Sequence, residues 1–144
     1  MMTQHTLDWE KSKAVFDDCQ ALIKPKQCYH NIYQIMNSFD YFEKFKAGEW
    51  QIAYGYVQIT QELYARHCFI VDENCNAIDP TLALTHPEGF KELPYYFAFA
   101  ILSPTEWFEL LEKNQYDISL GYAFRESEPN AYEYAKKHGM LLIG

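Results

Sequence analysis

The sequence predicts an α+β fold in which N-terminal helices pack on an antiparallel β-sheet. Three observations point there. Apolar residues recur at helical spacing between Trp9 and Phe39, and the period falls to two from Trp50 onward. A run that is apolar on both faces, Tyr95 to Leu102, reads as a central strand and ends in a helix-start signal. With 144 residues, 49% hydrophobic and 17% aromatic, the chain can bury a sizeable core and is expected to form one domain over 1–144. That composition excludes an intrinsically disordered chain.

Residues 8–23 read as a first helix. Trp9, Phe16, Cys19 and Ile23 form its dry side, and Lys11, Lys13, Asp17 and Asp18 its wet side. Pro25 stops it, because the residue before a proline is pushed out of the helical region. A second helix starts at Cys28 and runs to about Asn37, with Cys28, Ile32, Ile35 and Phe39 as its stripe. Glu43, Lys44, Lys46 and Gly48 mark a charged loop. Trp50, Ile52, Tyr54 and Tyr56 then alternate in a strand ending near Ile59, with Gly55 at a bulge. Tyr64–Val71 forms a second strand and Ala77–Asp79 begins a third. The turn-rich stretch Asp72 to Asn76 between them predicts an antiparallel hairpin.

Thr85 to Gly89 is a surface loop. Ser103-Pro104-Thr105-Glu106 combines an N-cap, a first-turn proline and a capping-box glutamate, and opens a helix carrying Trp107, Leu110 and Leu111. Tyr116–Arg125 is expected to add a strand. Pro129 opens a last helix, Gly139 closes it, and Leu141–Ile143 ties down the end.

Charge narrows the function classes. Against 12 Lys and Arg stand 20 Asp and Glu, a net charge of −8 that repels phosphate backbones and anionic headgroups. Neither a nucleic-acid nor a membrane partner is expected. The polar start of the chain carries no basic segment followed by an apolar stretch, and the most apolar run is half the ~20 residues of a bilayer span. A cytoplasmic protein is the expectation. Cys19, Cys28, Cys68 and Cys75 are separated by spacings that match no common zinc site, and a large aromatic core makes disulfide staples unnecessary. They are read as free thiols, with no metal and no cofactor.

Three residues fall in a chemically suggestive order: Cys28 at a helix start, His67 in a strand, and Asp79 in the next strand. A thiol at a helix N-terminus faces unpaired N–H groups and the positive end of the helix dipole, which favour thiolate. An imidazole beside it accepts the proton, and a carboxylate on the other ring nitrogen fixes the tautomer and supports the cation. By alternation His67 shares the apolar face of its strand with Ala65, Phe69 and Val71, whereas Cys68 points the other way with Arg66. The hairpin brings Asp79 opposite the His67–Phe69 segment, directly or diagonally. His30 follows Cys28 by two positions and so does not face it on a helix.

The segments Cys28-Tyr29-His30-Asn31, Ala53-Tyr54-Gly55-Tyr56, Arg66-His67-Cys68-Phe69-Ile70-Val71-Asp72 and Ala77-Ile78-Asp79-Pro80-Thr81 together resemble a pattern in small bacterial and phage-encoded proteins. The pattern is that of the papain-like cysteine-peptidase fold in its minimal, transglutaminase-like form, and it covers about residues 20–85. The resemblance implies Cys28 as nucleophile, His67 as base and Asp79 as orienting acid. It implies an oxyanion-hole glutamine before the cysteine. Gln27 and Gln20 stand at other spacings, so the Cys28 backbone N–H with a second donor is the alternative. Gln27, Asn31 and Tyr54 are the candidate substrate-binding residues, with Asn31 alternatively bracing the loop and Tyr54 lining a cleft.

The implied function is a thiol hydrolase or acyltransferase acting on a peptide or amide bond of a peptide or protein substrate. The alternative is a catalytically silent papain-like binding protein, such as a phage-encoded inhibitor of a host enzyme, whose acidic surface meets a basic partner. A structural virion or assembly component is a third, weaker reading.

Overall fold

A computed structural model describes residues 2–144. The chain opens with strand β1 (Thr3–Thr6) and helix α1 (Trp9–Cys19), followed by a 3₁₀ turn at Gln20–Leu22. Next come α2 (Cys28–Met36), α3 (Phe42–Lys46), β2 (Gln51–Gln58), β3 (Leu63–Val71), β4 (Ala77–Ile78) and α4 (Pro80–Thr85). The rest is β5 (Tyr95–Leu102), α5 (Pro104–Lys113), α6 (Glu128–Lys137) and β6 (Leu141–Ile143). The architecture is α+β, with helices packed on a mixed sheet of order β1-β5-β2-β3-β4.

The strands pair antiparallel except β6, which pairs parallel with β3 through Leu63↔Leu141 to Ala65↔Ile143, and an isolated parallel bridge joins Leu7 to Ala77. The all-antiparallel expectation is corrected there. The chain returns from α6 alongside β3, in the direction of that strand, so its last residues can join only in parallel. β5 lies inside the sheet between β1 and β2, as a strand apolar on both faces requires. Gly55 sits at the expected bulge, where the β2–β5 register slips between Tyr54 and Gly55. A Cβ there would collide with the Phe97 carbonyl, so only glycine fits.

Four further local expectations change. β1 has a polar sequence, and of its residues only His5 is buried; it is held by backbone pairing to β5 rather than by an apolar face. The charged stretch after α2 contains a short helix, α3, which folds Phe45 into the core against Trp50. Residues 116–125 wind in turns instead of a strand, because Gln115, Tyr116 and Leu120 take left-handed backbone angles. Asp79 ends the third strand early and becomes the N-cap of α4, its side chain accepting from the Leu82 N–H. The Asp-Pro pair, with proline in the first turn, is the signal for that helix.

The sheet is covered on both faces. On one, α2 and α5 bury Ile32, Ile35 and Trp107 against Ile52, Tyr54, Cys68 and Ile70. On the other, Leu7, Trp9, Leu82 and Phe90 cover Ala53, Phe69, Val71 and Tyr96. A third cluster seats Ala131 and Ala135 of α6 on Tyr56, Tyr64 and Phe97. Each fully buried large side chain contributes about 1.5–3 kcal/mol. No helix of the described residues is long and apolar enough to cross a membrane.

Candidate active site

The site forms where β3 lacks strand partners. β2 pairs along the length of β3, leaving β4 and β6 to share its other edge. β6 reaches only to Ala65 and β4 begins at Ile70. Arg66 to Phe69 therefore have no strand on that edge among the described residues, and the N-terminal end of α2 meets β3 there.

Local sequence explains why α2 starts at Cys28. Pro25 ends the preceding segment, and Lys26 takes a left-handed angle of φ 61 that reverses the chain. Asn31, one turn into the helix, clamps this loop. Its Oδ1 accepts from the Lys24 N–H at 3.0 Å, and its Nδ2 donates to the Lys24 carbonyl at 2.8 Å. The same Nδ2 donates to Thr81 Oγ1 at 2.8 Å, stapling α2 to α4. Asn31 thus joins the element bearing Cys28 to the element capped by Asp79.

Asp79 is fully buried. The β3–β4 register pairs Ile70 with Ile78, and one further step places Asp79 across from Phe69 and diagonal to His67. His67 Nε2 meets Asp79 Oδ2 at 2.7 Å. The same oxygen accepts from the Tyr96 hydroxyl at 2.6 Å, while Oδ1 accepts from the Leu82 N–H at 3.2 Å. The Asp79 N–H donates to Ser12 Oγ at 2.9 Å, and that hydroxyl donates to the Asp8 carbonyl at 2.7 Å. The carboxylate is held from three elements and the backbone beneath it from a fourth, so its oxygens have little freedom to turn.

With Nε2 engaged by Asp79, Nδ1 is the ring nitrogen left to face the Cys28 thiol, which lies near enough to raise the pKa of the ring. Burial by itself lowers the pKa of His67. The charge and hydrogen bond of Asp79, then those of Cys28, outweigh it and push the value up to about 10. The imidazole side chain is 12% exposed and Cys28 is 9% exposed, so only a small part of each meets solvent.

The other thiols differ. Cys68 lies completely buried, and burial drives its pKa well above the ordinary thiol value, which keeps it protonated and inert. Cys19 is buried and shifted in the same direction. Cys75 is exposed in the turn after β3.

Of the candidate substrate-binding residues, only Gln27 is exposed beside the thiol. Asn31 is 1% exposed and its side chain is spent on internal bonds that position the loop. Tyr54 is corrected more sharply: it is fully buried, donating to the Ile118 carbonyl at 2.6 Å and accepting from Trp107 Nε1 at 2.8 Å. Its pairing with Cys68 turns it under α2 and α5, away from any cleft.

Tyr96, Ser12, Thr81 and Arg66 are the residues that sequence reasoning missed. Arg66 donates to the Tyr29 hydroxyl and the Ser119 carbonyl, each at 2.9 Å, and pairs with Glu128 at 2.7 Å. It locks the turns after α5 against the residue following the thiol. Burial pushes the Tyr29 phenol up to about 12 despite the opposing Arg66 charge, so it stays neutral. The alternation placing Arg66 beside Cys68 was visible in the sequence, whereas its partners were not.

A surface cavity of about 890 Å³ lies elsewhere, lined by Gln58 to Gln61, Leu82, His86, Phe90 and Glu92 to Tyr95. It includes none of Cys28, His67 and Asp79; Leu82, whose N–H bonds Asp79, is its nearest link to them. Among the described residues, no three His, Cys, Asp or Glu side chains gather as a metal-ligating group. No family model, curated protein or solved structure matches the chain.

Proposed function

We propose that this protein is a thiol-dependent hydrolase or acyltransferase of papain-like design, acting on a peptide or amide bond of a peptide or protein substrate. The observation that carries the reading is the His67 Nε2–Asp79 Oδ2 bond at 2.7 Å, on a ring whose pKa the neighbouring Cys28 also raises. Three side chains of suitable chemistry converge from a helix start, a strand and a helix cap.

In the forward half-reaction the proton already sits on the His67 imidazolium, and Cys28, as its thiolate partner, bonds through sulfur to the carbonyl carbon. The carbonyl oxygen becomes an oxyanion. The first amide of α2 to find a helical acceptor is that of Asn31, which bonds Gln27 O at 2.8 Å. The N–H groups of Cys28 and Tyr29 are therefore available to that charge. Gln27, exposed and adjacent to Cys28 in the chain, is the proposed side-chain amide donor. The imidazolium then protonates the leaving amine, the C–N bond breaks, and a thioester remains. Water or an acceptor amine attacks it, giving its proton to His67, and Cys28 leaves as thiolate beside the re-formed imidazolium. Asp79 holds the ring in place and balances its charge throughout.

Native protein treated with iodoacetamide near pH 6 and mapped by mass spectrometry tests the reading. Cys28 alone should be alkylated rapidly, with exposed Cys75 as the internal reference, and Cys28→Ala should remove the fast phase. Equal reaction of all four thiols, or reaction only on unfolding, rejects it. The small exposure of Cys28 and the position of the large cavity away from it favour the second reading, a silent binding protein. In that case Cys28→Ala leaves biological activity intact, and charge reversal on an acidic face abolishes it.

A further inference from the structure

Among the described residues, Tyr96 is the one side chain besides His67 that bonds Asp79 Oδ2, and it comes from β5, two strands away from β3. It is fully buried, with its ring packed edge-on against Phe69 at 4.9 Å and tilted beside His67 at 6.4 Å. We propose that Tyr96 is a positioning residue of the catalytic site, whose hydroxyl shares Asp79 Oδ2 with the imidazole and so sets how tightly the carboxylate holds the proton on His67. The proposal deepens the thiol-hydrolase reading and rests on it.

The argument is one of charge division. A carboxylate oxygen accepting one short hydrogen bond presents less negative charge to a second donor. Burial and the adjacent Asp79 keep the phenol protonated, so it remains a donor across the working pH range. The imidazolium must surrender its proton to the leaving amine, and an undivided carboxylate would retain that proton. Tyr96 thus trades ground-state pairing for proton transfer while also fixing the plane of the carboxyl group. The groups facing this network are few. Asp79 and Cys28 face the ring; Tyr96, Cys68 and the uncharged Ser12 surround Asp79.

The test is a titration of His67 by NMR in the intact, ¹⁵N-histidine-labelled protein, comparing wild type with Tyr96→Phe and with 3-fluorotyrosine installed at position 96. Loss of the hydroxyl should lower the acid dissociation constant of His67 about three- to tenfold, as expected when a charge-assisted hydrogen bond is removed from its partner. The fluorinated phenol is a stronger donor and should shift it the opposite way. Lost packing cannot produce shifts of opposite sign. Shifts in one direction only, or none, overturn the proposal. If Tyr96→Phe does not fold, the near-isosteric fluorotyrosine decides alone. The pH–rate profile of Cys28 alkylation supplies a parallel readout, and its alkaline limb should follow the NMR shift. Selective Cys28 alkylation with an unmoved His67 rejects the role of Tyr96 and leaves the hydrolase reading standing. A moved His67 without selective alkylation supports the coupling and rejects that reading.

Discussion

Replacing Asp79 by Asn removes one charge while keeping the shape of the side chain and an oxygen that can still cap α4 through the Leu82 N–H. In the native protein the His67 ring holds its proton up to about pH 10, against an ordinary value of 6.5. Between those two values the folded state binds a proton that the unfolded state has released, so stability falls as pH rises. The contribution is fully present below pH 6.5 and is lost as pH climbs through 10. Each unit of that window corresponds to about 1.4 kcal/mol, giving a loss on the order of 4–5 kcal/mol across it. Without the carboxylate charge, burial is the dominant influence on the ring and opposes protonation. Urea denaturation of both proteins at intervals from pH 6 to 10 measures the difference. The wild type should lose stability steeply over this range, and Asp79→Asn should lie several kcal/mol lower at pH 6 and show a much shallower decline. Parallel curves would falsify the assignment of Asp79 as the group that holds the proton on His67.

Asn31→Ala strips three hydrogen bonds and leaves the Lys24 N–H, the Lys24 carbonyl and Thr81 without partners. A stability loss of about 2–4 kcal/mol in urea is expected, together with slower alkylation of Cys28, because the loop before the thiol loses its clamp. Gly55→Ala places a methyl group on the Phe97 backbone, so the bulge must open. Its cost should exceed about 3 kcal/mol, read as a fall in Tm of roughly 10 °C or as loss of folded protein. Ser103→Ala breaks the capping box with Glu106 and is expected to cost only about 1 kcal/mol, with no effect on Cys28 alkylation.

The amino-acid sequence by itself determined where α1, α2, β2, β3, β5, α5 and α6 lie, because their signals are local. A proline stop before Cys28, the alternation through Trp50 to Tyr56 and the Ser103–Glu106 cap each act within a few residues of what they specify. The order of Cys28, His67 and Asp79 along the chain was legible for the same reason. Tertiary structure alone decided which polar groups met. The Asp79 carboxylate is completed by Tyr96 and its backbone N–H by Ser12, which lie 17 and 67 positions away in sequence. Asn31 and Tyr54 carry groups suited to substrate contact, yet both are buried with their hydrogen bonds made to distant parts of the chain. The parallel return of β6 and the pairing of polar β1 with β5 likewise depend on where remote segments arrive. Periodicity reports which face of an element avoids water, whereas a buried polar atom is satisfied by whatever partner the whole fold carries to within 3 Å, and that pairing leaves no periodic trace.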